Sequence, residues 1–212
     1  MIVSKSVYSI VLNDAVVEAV DEMAYKLGTN RSNMINQILA EKVAYVTPEQ
    51  HIRNILDTVE DIINGQDVFR IMATPGDSSL MIKSSFKYKY NPSVKYSVVL
   101  NKNGNSATGE LRVTFRTQNE NLLQALDNFL NIWNALEAKY QNREIKYIQS
   151  KGKYVRALDL PVEDYDENQI GEMISEYITG FDRIMKLYFA GESIGNIERE
   201  YVKFYRGCEY QI

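Results

Sequence analysis

The chain has 212 residues, 45% of them hydrophobic and 25% charged, with a formal net charge of −4. That composition fits a folded globular protein, excludes a disordered one, and argues against nonspecific polyanion binding by the surface as a whole. A single cysteine, Cys208, excludes an internal disulfide framework and disfavours a thiolate zinc site, and a single histidine, His51, removes most histidine-based metal and catalytic chemistry.

Residues 5–12, KSVYSIVL, predict a short strand rich in β-branched and aromatic side chains. Tyr8, Ile10 and Leu12 fall on one face, and Lys5, Val7, Ser9 and Val11 on the other. Asn13 or Asp14 then caps a helix in which Val16, Val17, Val20, Met23, Ala24 and Leu27 recur at helical spacing, and Gly28 closes it. Asn30 caps a second helix with Met34, Ile35, Ile38, Leu39 and Val43 as its apolar positions, ended by Thr47 and Pro48. One strand and two short helices bury little apolar surface, and a lone strand leaves two edges unpaired. Both problems vanish when two chains pair their strands antiparallel over four helices. Residues 1–47 are therefore expected to be an obligate dimerisation module with Tyr8, Ile10 and Leu12 in the dimer core.

The run VLNDAVVEAVDEMAYKLGTNRSNMINQIL contains a strand-end leucine, a capped helix, Ala-x-x-x-Gly and Thr-x-Arg-Ser before an apolar helix. In these features the chain resembles the ribbon-helix-helix regulators of the MetJ, Arc and CopG type, from about Ser4 to Val46. The resemblance implies a two-stranded ribbon lying in the DNA major groove, with the start of the second helix gripping phosphate. By position, Val7, Ser9 and Val11 would face the bases, with Lys5 at the ribbon's edge. Asn30, Arg31 and Ser32 would form the phosphate site, chiefly through backbone N–H groups, because helix N-termini attract anions. Relatives usually carry Arg, Lys, Thr, Asn or Gln on the ribbon face; valine touches thymine methyls but reads no hydrogen-bond pattern. The same ribbon could also serve as a dimer clasp alone.

Residues 48–212 are expected to form an α+β domain, an antiparallel sheet covered by helices. Pro48 to Gly65 predicts a helix with an apolar stripe of Ile52, Ile55, Leu56, Val59, Ile62 and Ile63, and His51 reads as a surface or capping histidine near its first turn. Strands are expected at Phe69 to Ala73, Leu80 to Tyr90, Lys95 to Asn101 and Glu110 to Thr117, with turns at Thr74-Pro75-Gly76-Asp77, Asn91-Pro92-Ser93 and Asn103-Gly104. Their alternation places Ile82, Tyr96, Val98, Leu111 and Val113 on a packed face, and Lys83, Lys87, Lys89, Lys95, Arg112 and Arg116 on a wet one. Asn119 to Tyr140 is the most amphipathic helix, with Trp133 assigned to the core. Strands near Tyr154 to Leu158 and Glu144 to Ile148 follow, then helices at Glu167 to Phe189 and Ser193 to Tyr205.

No P-loop, dinucleotide glycine pattern, zinc spacing or nucleophile elbow occurs, so neither catalysis nor a cofactor is expected. No signal peptide or membrane-length apolar run is evident, which makes a cytoplasmic location the expectation. The reading that follows is a DNA-binding homodimer, a transcriptional regulator of repressor type, with the second domain sensing an effector, extending the oligomer or binding a protein. The alternative is an interaction or inhibitor protein of a mobile element. It would use the ribbon only to dimerise, and the basic sheet face to bind nucleic acid or an acidic protein. Lysines on a wet sheet face also simply keep it soluble, or could meet the acidic C-terminal helices of a partner subunit.

Overall fold

The structure, a computed structural model, describes residues 7–43, 45–73, 76–85, 92–103, 106–141, 143–160, 165–208 and 212. Among these, six helices and six strands follow in the order α1 (Asp14–Lys26), α2 (Arg31–Lys42), α3 (Pro48–Asn64), β1 (Phe69–Met72), β2 (Ser79–Ser85), β3 (Ser93–Asn103), β4 (Ser106–Phe115), α4 (Glu120–Tyr140), β5 (Tyr147–Ser150), β6 (Lys153–Asp159), α5 (Glu167–Phe189) and α6 (Ile194–Gly207). The fold is mixed α+β. No helix among the described residues is long and apolar enough to cross a membrane.

The strands form one antiparallel sheet in the order β1-β2-β3-β4-β6-β5. Its centre is the β3–β4 hairpin, whose register runs from Val94 opposite Phe115 to Asn103 opposite Ser106. β4 therefore begins earlier than the expected Glu110, because the ladder continues to the hairpin end. β5 lies at Tyr147–Ser150, displaced from the expected Glu144 to Ile148. Its position is set by the Lys151-Gly152 turn, in which Gly152 has φ +70°, a left-handed conformation that glycine adopts without strain. The second strand, expected to reach Tyr90, is described as far as Ser85; Lys87 and Lys89 lie outside the described residues.

Strict alternation makes one sheet face apolar. Leu80, Ile82, Val94, Tyr96, Val98, Leu100, Leu111, Val113 and Tyr154 are buried under helices. The Asn119 to Tyr140 helix was expected to be the cover, and α4 does lie on this core, with Trp133 fully buried. It shares the task with α5, whose Phe181 ring stands 4.8 Å from Trp133, 5.5 Å from Phe129, 6.2 Å from Tyr96 and 6.1 Å from Tyr154. One side chain thus joins α4, α5, β3 and β6. Edge-to-face ring pairs of this kind contribute about 0.5–1.5 kcal/mol beyond burial.

α3 packs against α5 where glycine permits close approach. A methyl group at Gly171 would stand 2.6 Å from Thr58 Cβ and 3.1 Å from the Ile55 carbonyl oxygen. His51 joins the same pair of helices, its Nδ1 lying 2.7 Å from Glu167 Oε1, so it ties two elements together instead of ending one. Gly171→Ala should lower stability. The overpacking cost of about 1–3 kcal/mol exceeds the gain of about 1 kcal/mol in helix propensity. The check is a lower urea midpoint at unchanged m-value.

Candidate nucleic-acid interface

α1 and α2 form a helical hairpin with a small core of its own, Val20, Ala24 and Met34, with Ile35 and Ile38 against it. Asn13 caps α1 by accepting from the Ala15 N–H at 3.0 Å. The helix closes in a Schellman motif: Thr29 N–H donates to the Ala24 carbonyl at 2.9 Å and Gly28 N–H to the Tyr25 carbonyl at 3.2 Å, with Gly28 at φ +65°. Asn30 caps α2, its Oδ1 accepting from the Asn33 N–H at 3.0 Å. The helix capping expected from the sequence is present at both joints.

The N–H groups of Arg31 and Ser32 stand in the first turn of α2, where a helix offers no internal acceptor. The Arg31 guanidinium is engaged elsewhere. Its Nε donates to Asp21 Oδ1 at 2.7 Å and its Nη2 to Oδ2, fastening the start of α2 to the middle of α1. This pairing holds the Asp21 carboxyl below its ordinary range and raises the guanidinium further. An anion at this helix start would therefore meet backbone N–H groups and the Ser32 hydroxyl, with the arginine charge already neutralised.

A strand was expected over residues 5–12; residues 7–13 have no regular secondary structure, and α1 is the first element among the described residues. No strand among the described residues lies alongside them to complete a ladder. Lys5 lies outside the described residues. Val7, Ser9 and Val11 are exposed, and so are the three side chains assigned to a dimer core, with Tyr8 83% and Ile10 57% accessible and Leu12 at 38%. None of them is inserted into the chain's own sheet. The large apolar side chains exposed among the described residues concentrate in this region, from Val7 through Val16, Met23, Leu27, Leu39 and Val43 to Val46.

The second candidate surface is the face of the sheet turned away from the helices. Lys83 and Lys95 lie directly opposite each other on β2 and β3, and Arg116 follows β4 beside Ser93. Arg112 lies on the same face but is paired with Glu110 of its own strand at 2.8 Å. Among the described residues this grouping thus resolves into Lys83, Lys95 and Arg116, without carboxylate partners, and Arg112, which has one.

Sequence reasoning missed a buried polar cluster on the other face. Arg156 alternates inward with Tyr154 and Leu158 on β6, and its Nε donates to Glu137 Oε1 of α4 at 2.9 Å. Tyr177 of α5 donates to the same oxygen at 2.9 Å and accepts from the Trp133 indole N–H at 3.0 Å, while its ring lies 4.4 Å from the Arg156 guanidinium. Burial lifts the Glu137 carboxyl above its ordinary range, against the pull of Arg156 and Tyr177. A charged residue spaced at the strand period among Tyr and Leu was the available sign. The cluster is closed to solvent and joins α4, α5 and β6, so its role is cohesive.

No family model, no curated protein and no solved structure matches this chain. Glu137→Ala should strand Arg156 as an unpaired buried charge and cost about 3–5 kcal/mol. Equilibrium denaturation checks it, and a loss below 1 kcal/mol would show that water replaces the carboxylate.

Proposed function

We propose that the chain is a sequence-specific DNA-binding homodimer, a transcriptional regulator of repressor type, in which two copies pair residues 5–12 as a ribbon that enters the major groove. The reading is supported chiefly by one observation: a capped two-helix hairpin preceded by a segment in which Tyr8, Ile10 and Leu12, and also Val7, Ser9 and Val11, are all exposed in one chain. Exposing that much contiguous apolar surface is unfavourable in water, and a second copy would cover it symmetrically. The start of α2, where the N–H groups of Arg31 and Ser32 point along the helix axis out of its N-terminal end, suits a DNA phosphate. Ser9 is the one base-facing side chain able to exchange hydrogen bonds with a base edge, and Val7 and Val11 suit thymine methyls.

The test is selection of bound fragments from random duplex DNA with purified protein, alongside sedimentation. The wild type should sediment as a dimer and enrich a palindromic site. Ile10→Asp should yield monomers and abolish the enrichment. Ser9→Ala should leave the dimer intact and weaken binding to the selected site by about tenfold, near the low end of the roughly 1–3 kcal/mol that one base contact contributes. A dimer that enriches no sequence at low salt would retire the regulator in favour of an interaction protein that uses the ribbon as a clasp.

A further inference from the structure

The strand registers draw a line of cations across the open face of the sheet. Arg70 lies opposite Lys83, Lys83 opposite Lys95, Lys95 opposite Thr114, and Thr114 opposite Lys153. All sit out of phase with the buried alternation, so they point away from the helices. With strands about 4.8 Å apart, this row spans roughly 19 Å over five strands. The next row along the strands holds Ser85, Ser93 and Arg116.

Like charges placed directly opposite on neighbouring strands are destabilising. Several cations of the sheet domain are matched: Arg143 with Asp159, Arg53 with Asp77, Arg183 with Glu200, Lys151 with Glu120 and, on this same face, Arg112 with Glu110. Among the described residues, Arg70, Lys83, Lys95, Arg116 and Lys153 have no carboxylate within ion-pair distance. Acidic residues are not scarce in a sequence with 28 of them against 24 Lys and Arg. They stand at the opposite end of the same face, at Glu110 and Asp159.

We propose that this row is a second anion-binding surface, one that holds the phosphate backbone of duplex nucleic acid without reading its sequence. The neighbouring side chains favour this occupant over an acidic protein. Protein interfaces centre on apolar and aromatic anchors. Here the row is bordered by Thr114, Ser85 and Ser93, hydroxyls suited to phosphate oxygens. Met72 and Met81 at one side, and Val155 and Ile148 at the other, are separated by Ser97 and Arg112 and form no continuous patch. Single strands are held by stacking on aromatic rings. Among the described residues Tyr96, Phe115 and Tyr154 all face the helices, which leaves a backbone-tracking surface for a duplex.

The contact is separable from the ribbon and is tested on the full chain with fluorescently labelled duplex of random sequence, titrated at several salt concentrations. The triple variant Lys83→Gln, Lys95→Gln, Lys153→Gln should lose at least about tenfold in affinity. Its plot of log affinity against log salt should be shallower by roughly 0.9 for each phosphate contact removed. A charge-matched control, Lys139→Gln, Lys146→Gln, Lys203→Gln, should bind as wild type does. Since the substitutions relieve like-charge crowding, the triple variant should melt at or above the wild-type temperature. Equal loss in both variants would overturn the proposal. So would no duplex binding by wild type at low salt, preference for a single strand, or row-dependent binding of polyglutamate in place of DNA. Ser9→Ala should leave random-duplex affinity unchanged while reducing preference for a selected site, so failure of the ribbon reading and failure of this one are read on different probes.

Discussion

Successive side chains on a strand point to opposite faces, and this alternation runs unbroken from Ser93 to Asn101 in β3 and from Thr108 to Phe115 in β4. Everything else in the sheet domain follows from that phase. Val94, Tyr96, Val98 and Leu100 of β3 and Leu111, Val113 and Phe115 of β4 form one apolar surface, and the helices have no other place to bury their own stripes. The same phase forces Lys95, Arg112 and Arg116 outward together. A slip of one residue in this hairpin would bring lysines under α5 and expose the aromatic centre, so the register is fixed by the cost of burying unpaired charge. The packed core and the cationic row are two consequences of one ladder.

On the packed face the aromatic side chains do more than fill volume. Tyr96 places its hydroxyl 2.7 Å from Asp182 Oδ1, and Tyr154 donates to Asn134 Oδ1 at 2.8 Å, so rings from the sheet end in hydrogen bonds to α5 and α4. Tyr177 carries the chain of contacts from Trp133 to Glu137 and Arg156. Tyr96, Tyr154, Tyr177, Glu137 and Arg156 are each tolerated because a partner comes from a different element, while among the described residues Glu137 Oε2 and Arg156 Nη2 are left without one. Such contacts contribute modestly to net stability but penalise any shift of one helix over the sheet. The direction of Glu137, whose carboxyl is held above its ordinary range by burial, shows that desolvation is the larger opposing effect even beside an arginine.

How much of this was legible depended on whether the responsible interaction was local. Caps at Asn13 and Asn30 could be read directly, because the capping side chain and the N–H it serves are two or three residues apart. The strands from Phe69 to Phe115 could be read from period-two patterning, and Trp133 from its place on an amphipathic stripe. Arg156 could not, because what makes an inward arginine acceptable is Glu137 on α4 and Tyr177 on α5, both distant in sequence. Likewise, period-two patterning puts Lys83 and Lys95 on one wet face, but only the register of β2 against β3 sets them directly opposite each other. For Arg31 the motif spoke only to the backbone N–H at the start of α2; the partner of its side chain, Asp21, lies ten residues earlier on α1 and could not be read. At residues 7–12 the pattern was legible but the strand was absent, since a strand's hydrogen bonds belong to a neighbour that one chain does not supply.

The two candidate surfaces bear on each other through charge. The first 47 residues carry Lys5, Lys26, Arg31 and Lys42 against Asp14, Glu18, Asp21, Glu22 and Glu41, so pairing two copies of this module assembles a slightly acidic unit. Affinity for DNA at physiological salt comes largely from cations that replace condensed counterions on phosphate. A valine-bearing ribbon and a few helix-terminal N–H groups supply shape and orientation but little of that electrostatic term. Among the described residues, Arg70, Lys83, Lys95, Arg116 and Lys153 on the sheet have no carboxylate partner, and a dimer would double them. Under the proposed function a division of labour would follow: the ribbon would discriminate weakly among sequences, and the sheet would provide the salt-sensitive attraction that makes weak discrimination usable.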